Sequence, residues 1–132
     1  MKICDQNTIY GQNHNIKIGK LGETLAGEFL SSNGCKVIDK NFYTRFGEID
    51  LIAQKADEIL FIEVKTRTSN KFGYPESAVG KEKIDHLLKA VKIYMRIKNI
   101  SSYWRLDTIS VELDIEKRNA RIRWFKNVSI DF

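Results

Sequence analysis

The spacing of apolar and polar residues along the chain predicts two helices and five strands. In "GKLGETLAGEFLSSNG" the apolar side chains recur near helical spacing, and the segment closes at Gly34, a residue type that favours helix C-termini. A stronger apolar stripe predicts a second helix over "KEKIDHLLKAVKIYMRIKN". Enrichment in β-branched and aromatic residues predicts strands at "CKVID", 48–53, 59–66, "SYWRLDTISVEL" and "RIRWF". The predicted order is therefore αβββαββ.

Three stretches lack such a pattern. Residues 1–18 are rich in Asn and Gln, and we expect a flexible N-terminal arm there. "KNFYTRFG" is predicted to be a connector, and "TSNKFGYPESAVG", which holds the only proline, is predicted to be a functional loop. No repeat or linker divides residues 19–132, so they are predicted to form a single α/β domain whose mixed sheet is flanked by helices.

Composition narrows the class of protein. A chain of 132 residues, with 42% hydrophobic and 30% charged residues, is long enough for one domain with its own core and is not typical of a disordered protein. The formal charge of +5 permits a polyanionic partner without requiring one. Cys4 and Cys35 lack the spacing of a metal site, and no apolar segment suggests export or membrane spanning. We therefore expect a cytoplasmic protein with no membrane contact.

Three charged residues lie inside the two predicted strands of "GEIDLIAQKADEILFIEVKTR": Asp50, Glu63 and Lys65. A buried charge is costly unless it is paired, hydrogen-bonded or bound to a metal. If residues 55–58 form a hairpin loop, positions whose numbers sum to 113 face each other, and Asp50 lies opposite Glu63. Lys65 shares that face, because residues two apart on a strand point the same way.

The register divides the hairpin into two faces. The apolar face is predicted to hold Ile49, Leu51, Ala53, Leu60, Ile62 and Val64. The other is predicted to hold Glu48, Asp50, Ile52, Phe61, Glu63 and Lys65. Opposed carboxylates repel unless a cation lies between them, and oxygen donors suit Mg²⁺ or Mn²⁺. The pattern is also compatible with an ordinary cross-strand ion network on a solvated face.

"GEID" followed by "FIEVKTR" resembles the PD-(D/E)XK nuclease superfamily, in which an acid is followed by [D/E]-x-K on the next strand. The likeness is to its Holliday-junction-resolvase-like branch, and in particular to the bacterial YraN-like family of predicted endonucleases. That family's pattern is met over roughly residues 19–113, at "GKLGETLAGEFL", "NGCKVIDKNF", "FGYPESAV", "KIDHLLKAVKIYM" and "RLDTISVEL". The resemblance implies a restriction-endonuclease-like domain with an αβββαβ core.

The resemblance also implies roles for individual residues in hydrolysing phosphodiester bonds of DNA, including branched or structured DNA. Asp50, Glu63 and the Val64 backbone carbonyl are expected to bind Mg²⁺ (or Mn²⁺), and Lys65 to position or activate the attacking water. Glu23 is expected to be the helix-borne acid that completes the site, with Glu28 as the alternative. Whether one metal ion or two act stays open.

Nearby cations are expected to contact backbone phosphates without reading sequence: Arg67, Arg45, Lys71 and Lys83. Phe72 and Tyr74 are interpreted either as stacking on unpaired bases or as packed loop anchors. DNA is the expected partner, and RNA stays an open alternative as substrate. A resolvase-like role would need two active sites and hence a homodimer. A nucleic-acid-binding module that keeps the fold without cleaving is the alternative function, and a scaffold protein is a third. Glu48 is interpreted as a residue that caps its strand.

Overall fold

The computed structural model of the protein describes residues 14–68 and 80–128. Its elements follow one another in the predicted order αβββαββ. They are α1 (His14–Ser32), β1 (Lys36–Thr44), β2 (Gly47–Lys55), β3 (Glu58–Thr68), α2 (Lys81–Ile97), β4 (Tyr103–Asp114) and β5 (Asn119–Phe125). The predicted α/β class is confirmed.

The five strands form one mixed sheet in the order β1-β2-β3-β4-β5. Neighbouring strands are antiparallel except β3 and β4, which run parallel and are joined through α2. This connection is needed because parallel strands cannot be linked by a tight turn.

Each face of the sheet carries one helix. Leu60 and Ile62 of β3 pack in one apolar cluster with Leu25 and Leu30 of α1. The residues between them on β3 point the other way; Phe61 packs with residues of α2, Leu87 among them, in a second cluster. The two helices therefore cover opposite faces, and the central strands are buried on both.

The register of the β2–β3 hairpin is the predicted one. Its backbone pairs run from Lys55–Glu58 to Leu51–Ile62, and each pair sums to 113. Because Lys55 and Glu58 pair with each other, the turn is shorter than predicted and consists of Ala56 and Asp57. Asp50 and Glu63 follow directly after the last pair.

The predicted division of the hairpin into two faces is wrong at its open end. Ile49 packs in the α2-side cluster, whereas Leu51 packs in the α1-side cluster. The strict alternation of β2 is therefore interrupted at Asp50. On the neighbouring strand, Asn41 has a positive φ of 52°, and β1 pairs with β2 on either side of it at Lys40–Leu51 and Phe42–Ile49. A local irregularity in both strands therefore places Ile49 on the α2 side of the sheet instead of the α1 side.

Two element boundaries also differ from the sequence-based expectation. Helix α1 begins at His14, within the predicted N-terminal arm, and β1 continues to Thr44 through most of the predicted connector. Residues 1–13 and most of the predicted functional loop, including Phe72 and Tyr74, lie outside the described residues. Neither described helix has the length and apolar character needed to cross a bilayer.

Candidate metal centre

Helix α1 approaches β3 closely at Gly22. A Cβ placed on this glycine would overlap the side chain of Thr66, so only glycine permits the observed distance between the two elements. The next residue along the helix is Glu23. The close contact at Gly22 therefore brings Glu23 to the open end of the β2–β3 hairpin.

Three carboxylates from α1 and β2 converge there. One oxygen each from Glu23, Glu48 and Asp50 lies within 4.8 Å of the other two, and all three residues are half-buried. The sequence placed Glu48 on the acidic face with Asp50, near the end of its strand, and the structure brings it together with both Asp50 and Glu23 of α1.

Asn41 of β1 joins two of these acids. Its side-chain amide donates hydrogen bonds to Glu23 Oε2 at 3.0 Å and to Glu48 Oε1 at 2.6 Å. Sequence reasoning missed Asn41, because it read this segment as a connector and because Glu23 is 18 residues away along the chain. The amide holds the two carboxylates side by side without neutralising either.

Asp50 and Glu63 meet through their side chains. Asp50 Oδ2 accepts a hydrogen bond from the Val64 backbone N–H at 2.8 Å. The Asp50 carboxyl also hydrogen-bonds to Glu63. Burial raises the pKa of Asp50 to about 8, the charges of Glu63, Glu23 and Glu48 add to the rise, and the Val64 hydrogen bond opposes it.

Two lysines face Glu63. Lys83 of α2 places its Nζ 3.6 Å from Glu63 Oε1. Burial raises the pKa of Glu63, whereas Lys83, the Asp50 hydrogen bond and Lys65 lower it. Lys65 is therefore close enough to Glu63 to act on its charge.

The predicted catalytic residues thus lie together at the open end of the hairpin: Glu23, Asp50, Glu63 and Lys65. Glu28, the alternative helix acid, is exposed one turn further along α1. The Val64 backbone reaches the centre through its N–H, and the metal-binding role of its carbonyl stays a prediction.

The predicted phosphate-binding cations have different surroundings. Arg45 is exposed at the β1–β2 turn, with its guanidinium carbon 4.8 Å from the centroid of the Phe46 ring, and Lys83 is paired with Glu63. Arg67 is half-buried on β3, two residues beyond Lys65. Lys71 lies outside the described residues.

The chemistry of the donor set fits a hard divalent cation. Carboxylate oxygens are the ligands that Mg²⁺ and Mn²⁺ prefer, and an amide-supported set of this kind resembles the oriented shells of metal sites. Burial, and after it the charges of the neighbouring carboxylates, raise the pKa of Asp50, so a positive charge among these groups would be stabilising. Glu23, Glu48, Asp50 and Glu63 could hold such an ion.

Comparison with known proteins identifies a family model and several proteins that this chain is similar to. A family model described as "Uncharacterised protein family UPF0102" matches residues 22–111, which include all four predicted catalytic residues. A UPF0102 protein of Syntrophus aciditrophicus (strain SB) is 40% identical over 120 residues, covering 90% of this chain and 93% of that protein. A UPF0102 protein of Caldanaerobacter subterraneus subsp. tengcongensis is 44% identical over 101 residues, covering 76% of this chain and 83% of the relative.

Proposed function

The chain belongs to the UPF0102 family, the YraN-like group, and because the family's description assigns no activity, we propose a function from the metal centre. The protein is a metal-dependent endonuclease that hydrolyses phosphodiester bonds of DNA, including branched or structured DNA. The observation that supports this most is the convergence of acids from α1, β2 and β3 around Asp50. RNA remains an open alternative substrate.

Phosphodiester hydrolysis requires charge neutralisation at the phosphate and an activated water. A bound Mg²⁺ or Mn²⁺ supplies both, by polarising the phosphate and by lowering the pKa of water. Glu23, Asp50 and Glu63 would hold the ion with help from Glu48. The Val64 N–H fixes Asp50 Oδ2 and thereby orients the carboxylate.

The cations around the centre have separate tasks in this proposal. Lys65 Nζ holds the attacking water next to Glu63. Lys83, whose Nζ lies 3.6 Å from Glu63 Oε1, would contact a substrate phosphate beside the centre. Arg67, Arg45 and Lys71 contact phosphates further along the backbone.

The test is a panel of duplex, single-stranded, flap and four-way DNA incubated with Mg²⁺ or Mn²⁺. We expect cleavage of at least one form, and a loss of roughly 100-fold or more for Asp50→Ala and for Lys65→Ala. Asp57→Ala and Lys55→Ala are matched controls, because both residues are exposed at the other end of the same hairpin. Cleavage that survives Asp50→Ala and Lys65→Ala would come from a contaminant and would overturn the proposal.

The same panel separates the alternative functions. Tight binding of DNA without cleavage under any metal would favour a nucleic-acid-binding module with a nuclease-like fold. A homodimer remains part of the proposal for four-way DNA, since cutting two strands there requires two sites.

A further inference from the structure

A groove of about 950 Å³ runs between α1 and β1 and passes the metal centre. Its helical wall extends from Ile16 to Ser32, a distance of roughly 24 Å at the α-helical rise. Glu23 and Glu48 line the groove as well as belonging to the metal centre. A chain molecule lying in the groove would therefore pass directly over the carboxylates.

The direction of the groove follows from contacts across it. A Cβ on Gly27 would lie 4.0 Å from Val37 Cγ2, and Glu23 is hydrogen-bonded to Asn41. The helix and β1 are therefore antiparallel, and the groove continues from the Glu23–Asn41 contact towards Tyr43. The carboxylates lie part-way along the groove rather than at its end.

An exposed aromatic ring stands beside the carboxylates. Tyr43 lines the groove, is 72% exposed, and pairs with Glu48 in the β1–β2 ladder. Directly paired residues of antiparallel strands have Cβ atoms about 5 Å apart on the same face. A base stacked on the Tyr43 ring would therefore belong to a nucleotide next to the phosphate at the metal centre.

Charge along the groove suits a strand of nucleic acid once a cation is bound. Lys20 on α1 and Lys40 on β1 are exposed on its two walls. Among the described residues that line the groove, Glu28 is the acid outside the metal centre, and a bound divalent cation would offset part of the charge of Glu23 and Glu48. Basic walls with an aromatic platform are the features with which proteins bind single strands.

We propose that this groove binds an unpaired nucleic-acid strand, with Tyr43 stacking on a base beside the scissile phosphate and Lys20 and Lys40 contacting flanking phosphates. The position of the scissile phosphate rests on the proposed nuclease function. An unpaired strand is required because the bases of a duplex are stacked on one another and do not present a face to a side chain. The preferred substrates are therefore single-stranded, tailed or flap molecules rather than blunt duplexes.

The test measures binding of the full chain to fluorescently labelled oligonucleotides by anisotropy, with Ca²⁺ in place of Mg²⁺. The probes are a short DNA single strand, the same sequence as RNA, and the blunt DNA duplex. We expect Tyr43→Ala to weaken single-strand binding roughly 5- to 100-fold and to leave duplex binding nearly unchanged, whereas Tyr43→Phe retains affinity. The DNA and RNA arms identify which strand the groove prefers.

Matched controls come from outside the groove. Tyr103 is 76% exposed and pairs with Glu58 at the hairpin-turn end of the sheet, so Tyr103→Ala should have no effect on strand binding. Lys20→Gln and Lys40→Gln should each make the negative slope of log affinity against log salt less steep by about 0.7, the single-strand value for one phosphate contact. Lys117→Gln, on the β4–β5 turn at the opposite edge of the sheet, should leave that slope unchanged.

Single-strand affinity that is the same for Tyr43→Ala and the wild type would overturn the proposal. If Tyr43→Ala instead changes the oligomeric state by light scattering while strand affinity is kept, the groove is a contact between two copies, and the proposal is also overturned. Because no bond is cleaved in this assay, its result is independent of the Asp50→Ala and Lys65→Ala cleavage test.

Discussion

At the scale of single residues, Asn41 shows how the candidate metal centre is held together. Glu23 and Glu48 repel each other, and they come from different elements. The two hydrogen bonds of the Asn41 amide fix their positions, and its backbone adopts a positive φ of 52° that asparagine tolerates better than most residues. Asn41 is therefore a positioning residue for the ligands.

Replacing Asn41 by glycine should weaken metal binding without straining the backbone. Glycine keeps the positive φ and removes the amide, so the carboxylates of Glu23 and Glu48 are free to move apart. We expect the affinity for Mn²⁺, followed by electron paramagnetic resonance, to fall by roughly 10- to 100-fold, the usual effect of losing a residue that supports metal ligands.

Asn99→Gly is the matched control for that substitution. Asn99 also has a φ of 52°, but it is exposed just after the C-terminus of α2. Its replacement should leave Mn²⁺ affinity unchanged. Equal affinities for Asn41→Gly and Asn99→Gly would show that the amide does not position the ligands.

At the scale of elements, the placement of α1 on the sheet decides whether Glu23 reaches the centre. Gly22→Ala would force the helix away from Thr66, whose β-branched side chain has little freedom to move. We expect the free energy of unfolding to fall by about 1–3 kcal/mol and Mn²⁺ affinity to fall with it, because Glu23 moves with the helix. Urea denaturation and the Mn²⁺ titration measure the two effects.

Gly19→Ala separates this effect from helix propensity. A Cβ on Gly19 meets nothing within 4 Å, so alanine there should stabilise the protein by up to about 1 kcal/mol and leave Mn²⁺ affinity as it was. If both alanines change stability alike, the close approach at Gly22 is not what positions α1.

Local patterns predicted the elements well, and contacts between distant segments caused the errors. The hairpin register was predictable because its turn and its alternating residues lie within one short stretch. The side of the sheet on which Ile49 packs was not predictable, since the irregularity at Asp50 depends on the neighbouring strand at Asn41. The approach of Glu48 to Glu23 of α1 was not predictable for the same reason. The proximity of Asp50 and Glu63 on adjacent strands could be predicted from the sequence, whereas the Asn41 amide that joins Glu23 to Glu48 could not.

At the scale of the whole molecule, the metal centre links the layers of the fold. Glu23 belongs to the helix on one face, Lys83 to the helix on the other, and Asp50 and Glu63 to the sheet between them. Glu23, Asp50 and Glu63 would hold a metal ion there, and they come from α1, β2 and β3, which are separate segments of the unfolded chain. Binding of the ion should therefore stabilise the folded state in proportion to the logarithm of its concentration.

The stability of the metal-free protein should fall as pH rises from about 4 to 8. The pKa of Asp50 is about 8 in the folded protein and ordinary in the unfolded chain, so across this range only the folded state holds the proton. Stability from this group is complete below the unfolded pKa and is lost as pH rises through the folded pKa, with a limiting slope of about 1.4 kcal/mol per pH unit. Burial also raises the pKa of Glu63, which acts in the same direction.

Asp50→Asn tests this coupling, because an amide mimics the protonated acid at every pH. In EDTA, urea denaturation should show a flatter pH dependence for Asp50→Asn and a higher stability than wild type at pH 8, while Asp57→Asn follows wild type. Adding Mg²⁺ at pH 8 should restore the stability of the wild type, since the ion replaces the proton among the carboxylates. The stability of Asp50→Asn should stay unchanged. Equal pH dependence for wild type and Asp50→Asn would mean that Asp50 is ionised in the metal-free fold, and the electrostatic need for a cation at this centre would be gone.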